Sequence, residues 1–213
     1  MKMKKTEFWA FFNYKGGVGN TMTSTETANR LVMLGYQVLF YDLDPQSTSS
    51  FYFSRIDESF RPQEIITEWS KAPEKVFNPD FVIIDCPPSQ EFTPPSDFKI
   101  IAPTYSTADD IHSYRKVLQL QKTHTVIKVI NQFNLMKKAD KDLLEEFKEC
   151  CVIGTNSAIT NSRNKGETLW NTKEAGFKKS QRQIDYLIKC VLAGKCEPLD
   201  LDKVKRIMLG LED

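Results

Sequence analysis

The chain has 213 residues, enough for one domain with a full core, and is 40% hydrophobic and 27% charged, ordinary values for a globular protein. No run approaches the roughly 18 apolar residues of a membrane span. The five cysteines (Cys86, Cys150, Cys151, Cys190 and Cys196) fit neither a disulfide framework nor a zinc-site spacing, and His112 and His124 do not cluster with them, so they read as reduced thiols of a cytoplasmic protein. The net charge of +1 conceals a split: residues 1–112 carry 10 Lys/Arg against 15 Asp/Glu, and residues 113–213 carry 19 against 13. A basic second half suits either an anionic partner such as DNA or a plain solvated surface.

The charged N-terminus is followed by an apolar stretch of only about six residues that runs into a glycine loop, which predicts a buried first strand at 8–12 rather than a signal peptide. A helix is expected over 21–34, stopped by Gly35. Further strands are expected at 37–41, 81–84, 99–102 and 126–130, with a short last one at 151–153, and helical patterns at 107–122 and 139–149. Residues 155–180 are polar and carry no clear period. Apolar residues at helical spacing predict a helix over 181–193, and a last helix is expected over 200–211. Strands alternating with helices argue for one α/β domain over 1–213 built on a mostly parallel sheet.

Residues 13–24 read Asn-Tyr-Lys-Gly-Gly-Val-Gly-Asn-Thr-Met-Thr-Ser. Gly16, Gly17 and Gly19 let the backbone curl close to a phosphate, and the helix behind them aims its N-terminal N–H groups at the same place. The usual phosphate loop is G-x-x-x-x-G-K-[S/T], with the Ser/Thr hydroxyl on Mg²⁺. Here Gly19 and Thr21 hold their positions, Asn20 stands where lysine is usual, Tyr14 replaces the first glycine, and Lys15 opens the run. Two more motifs follow at strand ends, where open α/β sheets bind ligands. One is Asp42-Leu43-Asp44-Pro45-Gln46, which an Asx-Pro turn would explain equally well alone. The other is Phe81-Val82-Ile83-Ile84-Asp85-Cys86-Pro87-Pro88, a Walker B pattern with Asp85 set to reach Mg²⁺ through water.

The loop from Lys15 to Thr21 resembles the deviant Walker A sequence, K-G-G-x-G-K-[S/T], of the ParA/MinD family of ATPases, and the other two motifs are similar to that family's own. The resemblance is close over residues 7–50 and 80–90, moderate to residue 135 and poor beyond, where only Arg163 and Asn164 echo a further family segment. It implies a P-loop architecture with a twisted, mostly parallel sheet and helices on both faces, with ATP and Mg²⁺ as cofactors. It implies that Gly16, Gly17, Val18, Gly19, Asn20, Thr21 and Met22 hold the nucleotide, with Asn131 at the adenine. A strand-end cap is the competing account of Asn131. Mg²⁺ would lie by Thr21, Asp42 and Asp85. Asp44 would position the attacking water. Lys15 would be the catalytic "signature" lysine, reaching across a homodimer to the other subunit's ATP.

By the same resemblance the chain is expected to be a small partition ATPase with little sequence ahead of its first strand. It would form an ATP-dependent homodimer on the nucleoid that binds DNA without sequence preference and answers to a ParB-type partner, with no stable membrane anchor. Residues 163–189 hold the expected DNA contacts, Arg163, Lys165, Lys173, Lys178, Lys179, Arg182 and Lys189, against Glu167, Glu174 and Asp185, a net of +4. A solvated helix face is the alternative.

Asparagine at position 20 is neutral and shorter than lysine. Loss of such a transition-state contact commonly costs about 10²–10³ in rate, so binding is expected to survive and hydrolysis to suffer. Asn20 is either native or introduced to trap a state, and the intact remainder of the set favours the second. Two other functions stay open. One is a MinD-like membrane switch, opposed by Asp200, Asp202, Glu212 and Asp213 on the last helix. The other is a nucleotide-sensing module without hydrolysis. An electron-transfer ATPase like the nitrogenase iron protein is set aside, because its cluster cysteines have no counterparts at matching positions.

Overall fold

Strands form where the chain runs apolar on both faces. A computed structural model describes residues 5–73, 78–89, 91–209 and 211. Its strands are β1 (Glu7–Phe11), β2 (Val38–Asp42), β3 (Glu64–Ile66), β4 (Phe81–Asp85), β5 (Lys99–Thr104), β6 (Val126–Phe133) and β7 (Cys151–Gly154). They make one seven-stranded sheet in the order β3-β2-β4-β1-β5-β6-β7, and every pairing is parallel. Parallel strands need crossovers, and crossover helices cover both faces.

The helices are α1 (Asn20–Met33), α2 (Thr48–Arg55), α3 (Ala108–Leu118), α4 (Lys138–Glu146), α5 (Ser157–Lys165), α6 (Phe177–Ala193) and α7 (Leu201–Leu209). Alternate strand residues feed two cores. Trp9, Phe11, Phe40 and Ile83 pack against Ala28 and Leu31 of α1, Phe53 of α2 and Leu187 of α6. Ala10, Phe12, Leu39 and Ile84 meet Tyr114 of α3, Leu144 of α4 and Ile207 of α7 on the opposite face. The sheet with helices on both sides is the architecture the sequence predicts.

The predicted elements are all present, with ends moved by a few residues; the last helix ends at Leu209, and position 210 lies outside the described residues. Three elements were not foreseen. β3 is a three-residue edge strand, too short to show a period. The α2 sequence, Thr-Ser-Ser-Phe-Tyr-Phe-Ser-Arg, opens on turn-forming residues. α5 is polar and is defined by its ends: the Asn156 side chain accepts from Ala158 N–H, and Gly166 closes the helix at φ 72°.

α1 carries the site and is sheathed on all sides, with Thr23 through Asn29 buried. Such a polar helix tolerates burial because its hydroxyls turn back onto its own carbonyls: Thr23 Oγ1 donates to Gly19 O at 2.8 Å and Thr25 Oγ1 to Thr21 O at 2.7 Å. Glu26, fully buried, is the hub. It accepts from the Tyr52 hydroxyl at 3.0 Å and from Leu169 N–H at 3.2 Å. Burial raises its pKa, partly offset by the Arg163 guanidinium 3.8 Å away. Arg163 also donates to Thr25 Oγ1 at 2.7 Å and lies 3.9 Å over the Tyr52 ring. This network joins α1, α2, α5 and the segment after α5.

Candidate nucleotide site

The chain leaves β1 into a loop anchored by Asn13, which is fully buried. Asn13 Nδ2 donates to Pro103 O at 2.8 Å, and its Oδ1 accepts from Lys15 N–H at 3.1 Å and from the Ser113 hydroxyl at 3.2 Å. Gly17 and Gly19 sit at φ 79° and 103°, conformations that favour glycine. A Cβ on Gly19 would stand 2.0 Å from Asn131 Nδ2. The N-cap of α1 makes no side-chain hydrogen bond, so its first N–H groups are left to face a ligand.

Asn131 stands where β6 loses register: the pairing with β7 shifts between Ile130 and Phe133, and Gln132 takes φ 52°. That irregularity turns the Asn131 side chain under the loop. Its Nδ2 donates to Val18 O at 2.9 Å and its Oδ1 accepts from Gln132 N–H at 2.9 Å. The sequence reading put this amide at the adenine; in the structure its Nδ2 supports the loop through Val18, its Oδ1 meets the next residue of β6, and Asn131 also lines the cleft beside Gly19.

Asp42 and Asp85 lie opposite each other at the carboxyl ends of β2 and β4, each 1% exposed. α2 supplies their partners. Ser50 donates to Asp42 Oδ2 through N–H and hydroxyl, at 2.7 and 2.6 Å, and the Ser49 hydroxyl donates to Asp85 Oδ2 at 2.6 Å. Burial pushes the Asp85 carboxyl up to about 7 against the lowering effect of the Ser49 and Thr21 hydroxyls, and the nearby Asp42 and Asp44 add to the rise. Asp42 Oδ1 and Asp85 Oδ1 are buried without partners. Paired carboxylates with an unpartnered oxygen each, next to the Thr21 hydroxyl, are the donor set that a hard cation such as Mg²⁺ takes. The residues present therefore fit Mg²⁺, and the glycine loop with its open N–H groups fits a phosphate.

Asn20 is the first residue of α1 and is largely buried, with its Oδ1 also unpartnered. Asp44 lies in an Asx turn, its Oδ1 accepting from Gln46 N–H at 2.9 Å, so the bland account of this motif is present too. It nonetheless lines a hollow of about 250 Å³ with Gly16, Gly17, Asn20, Thr21 and Thr48. A second cleft, of about 450 Å³, opens on the other side of Gly19 and Met22 and is lined by Tyr105, Gln132, Thr155 and Arg163. Together they have the capacity of a small-molecule site.

Lys15 points away from the hollow. Its Nζ is 2.6 Å from Asp110 Oδ1, and the Asp110 side chain is only 4% exposed. Asp110 accepts in turn from the Thr107 hydroxyl. No motif singles out Asp110, Ser49, Ser50 or Asn13. The only signal was the Ser-Thr-Ser-Ser run directly after Asp44-Pro45-Gln46.

The expected DNA residues separate. Arg163 belongs to the Glu26 network, and Lys165 pairs with Glu174. Lys173, Lys178, Arg182 and Lys189 are exposed, and Lys179 is half-buried.

A family model described as an AAA domain matches residues 6–69. A candidate replication protein A from Rhizobium rhizogenes is 44% identical over 55 residues, a stretch that spans 25% of this chain and 14% of that protein. Among solved structures, a candidate plasmid partition protein from Borrelia burgdorferi B31 bound to AMPPNP superposes with a TM-score of 0.66 at 15% identity, covering 87% of this chain and 99% of that one. The septum site-determining protein MinD from Pyrococcus horikoshii OT3, complexed with Mg-ADP, gives 0.64 at 15% identity over 88% and 98%. At such identities the superpositions speak for the fold. The family match thus covers the glycine loop, the first helix and the two strands after it, and the superpositions show that the chain has the fold of these ParA- and MinD-type P-loop proteins.

Proposed function

We propose that the chain is a ParA-type partition ATPase whose Mg·ATP form pairs with a second copy and binds DNA without sequence preference. The observation that carries the reading is the pair of buried carboxylates, Asp42 and Asp85, each with an unpartnered oxygen beside the glycine loop. The nucleotide-bound relatives of the same fold support it. When bound there, Mg²⁺ would neutralise the two carboxylates and draw charge from the terminal phosphates.

Each residue then has a task. The open N–H groups at the start of α1 hold phosphate oxygens. Ser49 and Ser50 keep Asp85 and Asp42 turned toward the cation. Asp44 lines the phosphate hollow and orients a water. Lys15 leaves Asp110 to meet anionic charge, from its own nucleotide or from the other subunit's. Asn20 offers no positive charge to the transition state, so turnover is slow. Exposed Lys173, Lys178, Arg182 and Lys189 supply a cationic surface for DNA.

The membrane-switch alternative fares less well, because Val204, Ile207 and Met208 of α7 are buried in the domain core. Among the described residues, no helix is long and apolar enough to cross a membrane.

The test compares ATP binding and turnover of this chain with its Asn20→Lys variant, each with and without DNA. Binding by both forms, with hydrolysis raised about 10²–10³-fold in the lysine variant and stimulated by DNA, is the expected result. Binding without hydrolysis in either form would favour a nucleotide-sensing module.

A further inference from the structure

Three of the five cysteines, separate in sequence, meet in space. Cys151 on β7, Cys190 in the last turn of α6 and Cys196 beyond it bring their sulfurs within 4.8 Å of one another. One pair, Cys151 and Cys196, is 3.5 Å apart. The backbone sets this convergence. Gly194 at φ 71° ends α6, with Gly194 N–H on Val191 O and Lys195 N–H on Cys190 O, both at 3.1 Å, and so turns the chain back on itself. The returning segment is tied antiparallel to the residues just before β7 by the Glu149–Pro198 bridge and by Leu199 N–H on Lys148 O at 2.7 Å. Cys196 is thereby pressed against Cys151.

We propose that Cys151, Cys190 and Cys196 form a trithiolate site for a thiophilic d¹⁰ cation, Cu⁺ or Zn²⁺. A Zn–S bond is about 2.3 Å, so three sulfurs around one ion stand about 3.8–4.0 Å apart. The Cys151–Cys196 distance of 3.5 Å and the 4.8 Å limit on all three pairs lie within about 1 Å of that range, so the site closes with small shifts. Soft thiolates select these ions. All three residues are buried, Cys190 and Cys196 at 5% and 7% exposure, so a bound ion would be shielded from solvent. The Tyr186 hydroxyl is buried beside these sulfurs without a well-formed hydrogen bond. On binding, each thiol proton goes to the buffer, each sulfur bonds the ion, and no electron changes hands. The site is about a structural ion and is independent of the nucleotide reading.

The experiment uses the full chain, reduced and metal-free. Zn²⁺ uptake is followed by calorimetry and by cobalt substitution, and Cu⁺ uptake by competition with a chromophoric chelator. Alkylation with mass-spectrometric readout maps which thiols the ion protects, which needs no variant. The expected results are one equivalent of ion, a thiolate-to-cobalt charge-transfer band, proton release, and protection confined to Cys151, Cys190 and Cys196. Cys190→Ser and Cys196→Ser lower the affinity at least tenfold with unchanged circular dichroism, whereas Cys150→Ala retains it. Tighter binding of Cu⁺ identifies a trigonal site, and tighter binding of Zn²⁺ identifies one completed by water. The proposal is overturned if neither ion survives gel filtration with the protein, if protection falls on other cysteines, or if Cys196→Ser binds as well as the parent.

Discussion

Replacing Asp110 by Asn asks whether the Lys15–Asp110 pair restrains the loop lysine. The two groups are 2.6 Å apart, with side-chain exposures of 39% for Lys15 and 4% for Asp110. A fully exposed pair is worth about 0–1 kcal/mol, while breaking a fully buried one costs about 3–5 kcal/mol. One wet partner and one dry partner put this pair between, at about 1–2 kcal/mol. Lys15 must give up that energy before it meets a phosphate. Asp110→Asn should therefore tighten Mg·ATP-analogue binding, or nucleotide-dependent dimerisation, by about 5–30-fold. The asparagine still accepts from the Thr107 hydroxyl, and its N–H still meets Thr107 Oγ1, so the start of α3 survives. Asp109→Asn, at an exposed neighbouring position, removes the same charge without touching Lys15 and is the control. Calorimetry with a non-hydrolysable analogue and sedimentation of each variant give the readout. If Asp110→Asn binds no more tightly than Asp109→Asn while melting at the same temperature, the pair does not restrain Lys15 and the reasoning fails.

Glu26 gives a pH prediction. Its folded pKa is raised above 4.5 by burial, so the protonated form is the one the fold favours. Its contribution to stability is complete below pH 4.5 and is lost as pH climbs toward the folded value. The stability of the parent chain relative to Glu26→Gln should fall with rising pH above 4.5, as read from urea unfolding of both forms, and parallel profiles would refute it. Gly19→Ala should abolish nucleotide binding, because its Cβ would strike Asn131 Nδ2 at 2.0 Å and its φ of 103° suits only glycine. An analogue titration showing retained affinity would show that the loop has room to move. The Asn20→Lys comparison tests turnover, and the cysteine variants test the trithiolate site.

Local sequence was sufficient for most of the frame. The buried strands announce themselves as apolar runs because crossover helices cover both faces, as in Phe81 through Ile84. The glycine loop was legible because tight turns demand glycine, and Gly17 and Gly19 do adopt positive φ. That Asp42 and Asp85 close their strands was legible because each ends an apolar run. What lay outside local pattern was partnership. That Lys15 rests on Asp110, that Asn131 braces Val18, and that Ser49 and Ser50 hold the two carboxylates depend on residues 8 to 113 positions away in sequence. Arg163 shows the cost of reading charge alone: it was grouped with DNA contacts, yet its guanidinium lies over Tyr52 beside a buried carboxylate. Composition and periodicity determine which elements form and which residue types cluster at a strand end. Only the packed chain decides what each polar group meets, because hydrogen bonds and ion pairs act over a few ångströms and the topology chooses which distant segments come within that range. The three sulfurs of Cys151, Cys190 and Cys196 are the plainest case: a glycine turn after α6 and a bridge just before β7 bring together thiols that the sequence keeps apart.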